Sequence, residues 1–415
     1  MSTIQTEKVI NTRFKVVLAQ IKHLLHDQEN QAEFVQNGNL FNGYAGIVYY
    51  YFSLLKAFPD GESEAYIALE KLIESYNAQD NTASKYMTFC SGLSGFYFLI
   101  QKLVDQGYLD EMFLEEVLPI NELIFKDTLK LLAEENTDFL HGASGQMLYL
   151  LSSKADPNRA KYLGLLIDEL LKLAVIDEKG LRFPNSTVKL FQNTDNTNMS
   201  LSHGNTGILL VLLNIYDAGI EQEKLGAAIK QGLNYFISYY QPRKEGVPLS
   251  AFPLLVDEKQ TTQELINGDF YADNYSWCYG DLAAVWLLYQ SSVSFKQSTY
   301  ADMADEIGKV MAAQLMLLPA SGIKINSHFC HGTSGVALFL NRLYHFTRLK
   351  IYQQAAAVWL ESTLDHLEKD LNNPDFMNRP TSLGLLEGVS GAMFALAAAE
   401  HDDIAVNWTD MFLLS

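Results

Sequence analysis

Two kinds of hydrophobic pattern alternate along the chain. In the first, apolar residues occupy nearly every position around the helix: Ile47–Ala57, Phe96–Val104, Gln146–Ser153, Ile208–Tyr216, Ala284–Tyr289, Val336–Tyr344 and Ala392–Ala399. In the second, they recur at three- and four-residue steps and leave a polar face: Ala65–Tyr76, Leu114–Leu132, Arg159–Val175, Lys224–Tyr239, Tyr300–Leu317 and Ile351–Leu371. A helix that is apolar all round belongs inside a protein, and an amphipathic one lies over it with its polar face in water. The alternation predicts an all-α protein built from buried and covering helices in turn.

Each buried run is opened by the same short unit. The copies are Gly43-Tyr-Ala-Gly46, Gly92-Leu-Ser-Gly95, Gly142-Ala-Ser-Gly145, Gly204-Asn-Thr-Gly207, Gly280-Asp-Leu-Ala283, Gly332-Thr-Ser-Gly335 and Gly388-Val-Ser-Gly391. Their first glycines are separated by 49, 50, 62, 76, 52 and 56 residues. One Gly-x-x-Gly carries no information, but seven, each opening an apolar helix, define a repeat. Seven buried and seven covering helices predict a closed double ring, an (α/α)7 toroid, against the alternative of an open solenoid. No Pro/Gly/Ser-rich linker interrupts the repeat, so residues 1–415 read as one domain. Two stretches depart from the helical pattern. Gly180 to Gln192 alternates apolar and polar residues and predicts a short strand or hairpin, a small β-rich insertion. Gln241 to Asn274, with Pro242, Pro248 and Pro253, reads mostly as loop.

The residue ahead of each first glycine forms a column: Asn42, Ser91, His141, His203, Tyr279, His331 and Glu387. Asn and Ser there are ordinary helix caps, whereas three histidines, a tyrosine and a glutamate are poor ones. Around a ring these side chains would converge on the axis. One position further upstream lie all three cysteines, Cys90, Cys278 and Cys330. Two thiolates and one imidazole, from Cys278 and Cys330-His331, make a zinc set with one position open, and equally are residue types found in plain cores. Cys90 has no neighbouring histidine and reads as a small buried hydrophobe. Asp138 lies in the approach to the third buried helix, where it could orient a histidine such as His203 or simply be a loop acid. His141 is open in the same way. His328 reads as a surplus metal ligand or a surface residue. The other histidines, His23, His26, His345, His366 and His401, read as structural.

Charge and composition narrow the partners. Thirty basic against 49 acidic residues give a net charge of −19, without the basic footprint a nucleic-acid binder needs. The 48% hydrophobic content rules out a disordered chain. There is no signal peptide, no apolar run long enough to span a membrane and no disulfide framework, so a cytoplasmic protein with reduced thiols is expected.

Ser202-His203-Gly204, Trp277-Cys278-Tyr279-Gly280 and Cys330-His331-Gly332, on top of the glycine repeat, resemble the lanthionine synthetase C-like proteins, and within them the class I lanthipeptide cyclases. The resemblance runs from Gly43 to Gly391. It implies an (α/α)7 toroid with one zinc ion held by Cys278, Cys330 and His331. It implies that a peptide cysteine adds across a dehydroalanine or dehydrobutyrine to form a lanthionine or methyllanthionine thioether. By the same match His203 is the acid/base, Asp138 its supporting carboxylate and Tyr279 a further site residue. The implied partners are a dehydrated, leader-bearing precursor peptide, a dehydratase and an exporter, which would place the enzyme in the cytoplasm or peripherally at the membrane within a complex. One position departs from the pattern: four residues before Cys278, where the class I cyclases carry Arg, stands Asn274. Alternative readings are zinc-dependent addition of another thiol such as glutathione, a peptide-binding scaffold of low activity, and a ring-shaped glycosidase using two of Asp138, Asp281 and Glu387.

Overall fold

The computed structural model describes residues 3–28, 32–78, 85–185, 196–243, 249–318 and 325–415. Helices dominate it, as the pattern requires. The seven buried helices are Tyr44–Leu54, Leu93–Asp105, Ala143–Ser152, Asn205–Asp217, Asp281–Phe295, Thr333–Thr347 and Val389–Glu400. Each begins on the residue after its first glycine, so the Gly-x-x-Gly unit is the first helical turn rather than a loop ahead of it. The covering helices are Glu62–Asn77, Phe113–Ala133, Arg159–Lys172, Gln222–Ser238, Ser298–Leu315 and Lys350–Leu371.

The second glycine is demanded by close approach. A Cβ at Gly46, Gly145, Gly207 or Gly391 would press into the carbonyl oxygen six residues back, that of Leu40, Phe139, Leu201 or Leu385. The fifth start is built differently. There the second glycine is Ala283, and Gly280 takes φ +100°, a conformation that side chains rarely allow.

The chain forms two compact units, Met1–Tyr86 with Ala312–Ser415, and Met87–Met311. In the first unit the seventh buried helix packs against both the sixth and the first. The Leu386 N–H also donates to the Phe41 carbonyl at 2.9 Å. First and last repeats are therefore neighbours, which an open solenoid does not permit. The N-terminal helix Thr3–Gln28, which the sequence reading did not single out, supplies a further amphipathic element. Its Phe14, Val17, Leu18, Ile21 and Leu25 are buried at helical spacing, and Arg13 pairs with Asp365 and Glu368 at 2.6 and 2.8 Å.

In the second unit the second to fifth buried helices pack in chain order. The expected β insertion is small. Val175–Asp177 and Gly180–Arg182 make an antiparallel hairpin, and Asn196–Asn198 pairs antiparallel with Leu255–Asp257. The remainder of the predicted strand, from residue 186, lies outside the described residues, as does Pro248. The segment expected as loop also holds a helix, Thr262–Asn267, started by a capping box between Thr261 and Glu264. No helix among the described residues is long and apolar enough to cross a membrane.

Candidate functional site

The site residues hang on a loop that the repeat builds the same way again and again. Six residues ahead of the first glycine stand Asn37, Tyr86, Asn136, Asn198, Asn274, Asn326 and Ser382. The carbonyls of Asn37, Asn136, Asn326 and Ser382 accept the first helical N–H, from Tyr44, Ala143, Thr333 and Val389, at 2.7, 3.0, 2.9 and 2.8 Å. The side-chain oxygens of Asn136, Asn198 and Asn326 accept the N–H two residues on. A second column, two residues further, supplies an acceptor for the N–H of the residue just ahead of the glycine. Thr88 serves Ser91 at 3.2 Å, Asp138 serves His141 at 2.7 Å and Ser200 serves His203 at 3.0 Å. Ser276 serves Tyr279 at 3.1 Å and His328 serves His331 at 3.2 Å. These bonds fix the backbone of the column that carries the candidate chemistry, by the side-chain-to-backbone mechanism that Asn, Asp, Ser and Thr favour in turns.

Three readings of the sequence change accordingly. Asn42 and Ser91 do not cap their helices. The caps are Gly43 and Gly92, and Asn42 Oδ1 instead accepts the Glu387 N–H at 3.1 Å. His328 is neither a surface residue nor a surplus ligand: it is 8% exposed and its Nδ1 is occupied as an acceptor. Burial first, then the His331 and Arg379 charges, push it down to about 4, which keeps the ring neutral. Asn274 proves to be the fifth member of the repeat's own asparagine column, with its Oδ1 accepting from Ser276 Oγ at 2.9 Å. Aligning the copies six and four residues upstream, rather than one and two, would have exposed both columns.

Within the second unit, Asp138 and His203 meet although 65 residues apart. Asp138 Oδ2 lies 2.6 Å from His203 Nδ1, with the carboxylate fully buried and the imidazole 26% exposed. Burial alone would raise the Asp138 pKa. The hydrogen bond and charge of His203, helped by the His141 N–H, overcome it and hold the carboxyl below its ordinary value. Asp138 thus uses one oxygen to fix its loop and the other to hold a histidine. His141 is exposed and lies parallel to His203, with ring centroids 6.1 Å apart and 18° between planes. The Tyr279 hydroxyl accepts from Asn198 Nδ2 at 3.2 Å. Burial raises its pKa, against hydrogen bonds from Asn198 and Ser200, so the phenol stays protonated. Cys278 is 1% exposed, with Ser276 Oγ 3.5 Å from its sulfur.

Within the first unit, Cys330 is 6% exposed and its N–H donates to the Leu386 carbonyl at 2.8 Å, while the next residue, His331, is exposed. Cys278, Cys330 and His331 are a group that could hold a metal ion. Cys90 is buried, as a small hydrophobe should be.

Asp281 does structural work. Asp281 is buried, accepts the N–H groups of Ala251 and Phe252 at 2.6 and 3.1 Å, and pairs with Arg243 at 2.5 Å. Arg243 also holds Asp273 and the Tyr275 hydroxyl, each at 2.8 Å. With Asp138 committed to His203 and Asp281 to Arg243, the two-carboxylate arrangement of a glycosidase is not formed.

The family model described as Lanthionine synthetase C-like protein matches residues 35–413. Among solved structures, the chain is similar to the one titled "Nisin cyclase", with a TM-score of 0.70, 17% identity and 98% of each chain covered. A likeness at that identity carries the fold, and bears out the expected α/α toroid class. No curated protein matches the chain. The family match spans nearly the whole sequence and includes every residue of the column: the chain belongs to the lanthionine synthetase C-like family.

Proposed function

We propose that the protein is a zinc-dependent lanthipeptide cyclase, which adds cysteine thiols of a dehydrated precursor peptide to its dehydroalanine or dehydrobutyrine residues. The observation that carries this reading is the group Cys278, Cys330 and His331, whose ligand atoms lie within 4.8 Å of one another. Two thiols and an imidazole suit zinc, and three protein ligands leave a position for an exchangeable fourth. Family membership and the likeness to a protein titled a cyclase point the same way. When bound, zinc would supply a position where a peptide thiol is held as thiolate.

The chain's own residues account for the rest of the reaction. Addition of sulfur to the β-carbon places negative charge on the α-carbon and its carbonyl, and a proton must then reach the α-carbon. His203 is the donor in this reading. Asp138 holds Nδ1, fixes the ring and favours its protonated form. The Tyr279 phenol, kept protonated by burial, is a neutral hydrogen-bond donor for the developing oxyanion. Asn274 has its side-chain oxygen engaged by Ser276, and brings only a neutral amide donor where the class I cyclases carry a guanidinium.

Metal analysis tests the proposal. One zinc per chain is expected in the wild type, lost from both Cys278→Ala and Cys330→Ala. The wild type is expected to remove one thiol for each thioether formed in a dehydrated precursor peptide. A wild type that stays metal-free after reconstitution with zinc would end this reading.

A further inference from the structure

His141 has no part in the loop's own bonding beyond its main chain. Its N–H is spent on Asp138, while its ring nitrogens make no hydrogen bond among the described residues. A histidine that is exposed, unpaired and parallel to His203 is not needed for packing or for holding the turn. The charged groups acting on it are Asp138, on its own loop, and His203, from the fourth repeat. The two rings share one carboxylate but not equally. Asp138 bonds directly to His203, and reaches His141 only through the backbone N–H and its field.

Desolvation lowers the pKa of His141. Asp138 opposes that shift, and the His203 charge adds to it. Two imidazoles stacked 6.1 Å apart, one bonded directly to a buried carboxylate and the other open to solvent, can divide the roles of acid and base. Thioether formation needs both, because one proton leaves a thiol and another arrives at carbon.

We propose that His141 is the base of the reaction, taking the proton of the incoming peptide thiol while the His203 imidazolium protonates the α-carbon. This rests on the cyclase reading above and extends it to a residue which that reading leaves idle. The S–H bond breaks and its proton goes to a ring nitrogen of His141. The sulfur lone pair forms the S–Cβ bond, and the C=C π pair moves to the α-carbon. That pair takes a proton from His203. Net, S–H has added across the double bond. His141 then releases its proton to solvent and His203 regains one, so both rings return to their starting states.

Two measurements on the full-length protein test this. The first follows the histidine ring signals by NMR over a pH titration. His203→Gln should raise the His141 midpoint by removing the neighbouring charge, and Asp138→Asn should lower it. The second is the single-turnover rate against pH, using a synthetic peptide with one dehydroalanine and one cysteine as probe. The wild type should give a bell whose rising limb coincides with the His141 midpoint. His141→Gln should lose that limb and turn over about 10²–10⁴-fold more slowly. An active wild type whose His141→Gln variant keeps the rate and the pH profile overturns the inference alone. A His141 midpoint unmoved by His203→Gln overturns it as well. A wild type that binds no zinc and does not turn over any thiol overturns the cyclase reading, and this inference with it.

Discussion

The third and sixth loops have the same frame and different contents. Asn136 and Asn326 both use a carbonyl to accept the first helical N–H and a side-chain oxygen to accept the N–H two residues on. In both, the next but one residue accepts the N–H of a histidine, His141 or His331, and a glycine follows. The acceptor is a carboxylate in one and an imidazole in the other. Asp138 has a second oxygen left over, and with it reaches His203. His328, once Nδ1 has accepted, has only a donor left, in a setting that keeps it uncharged. One loop can therefore carry a charge relay and the other cannot, although their backbones are bonded alike. The fold supplies the frame, and the second group on the acceptor decides what the loop can do.

The largest effect should come from separating the two duties of Asp138. Asp138→Asn keeps an oxygen for the His141 N–H but removes the charge and offers His203 the wrong partner. Turnover of the dehydrated peptide should fall by about 10²–10⁴-fold. The urea midpoint at pH 7 should move much less than in Asp138→Ala, which loses the loop bond too.

How much of this the sequence showed can be judged on the same two loops. The histidines ahead of Gly142, Gly204 and Gly332 were legible because the glycine fixes the register. The helix starts were placed about three residues late, at the first of the apolar run, because the small residues of Gly-x-x-Gly carry no hydrophobic signal although they form the first turn. Asp138 was legible as an acid near the third start. Its pairing with His203 was one of two open readings, because the bond spans 65 residues and depends on the packing of two helices; the family resemblance favoured it. The role of His328 was missed because a histidine accepting a backbone N–H occupies a place that Ser or Asp fills elsewhere.

A second break concerns the fifth start, where the frame is held from outside. Asp281 is buried against Arg243 and accepts two backbone N–H groups, so its loss weakens a buried network in which Arg243 keeps Asp273. Asp281→Ala should cost about 3–5 kcal/mol in denaturant unfolding, because the Ala251 and Phe252 N–H groups lose their acceptor while Arg243 loses a partner. A loss under 1 kcal/mol would mean that the 249–274 segment is anchored by its other contacts.

The sixth loop gives a smaller effect. His328→Ala leaves the His331 N–H without its acceptor and should cost about 1–3 kcal/mol. His328→Asp imports the acceptor of the third loop and should recover part of that loss. If Ala and Asp are equally damaging, the loops are not interchangeable frames.

The smallest effect is a pH dependence. The Asp138 pKa is lower when folded than its ordinary 3.8, so its ionised form favours the native state. That contribution is complete above the unfolded value and is lost as pH falls through the lower folded one. Unfolding midpoints measured below pH 4 should therefore drop more steeply for the wild type than for Asp138→Asn, and parallel curves would show that the His203 bond does not stabilise the fold.

The backbone bonding around each glycine has a consequence for how such a protein can change over generations. In the third, fourth and sixth repeats the turn is secured by residues four and six places upstream and by the glycine itself, so the side chain displayed between them is not what holds the turn's backbone. Asn, Ser, His, Tyr and Glu all occupy that place in this one chain. Except where that side chain also ties two repeats together, as Asn42 does through the Glu387 N–H and His203 through Asp138, mutation there carries little structural penalty, and a lineage can try new reactivities while heredity keeps the scaffold intact.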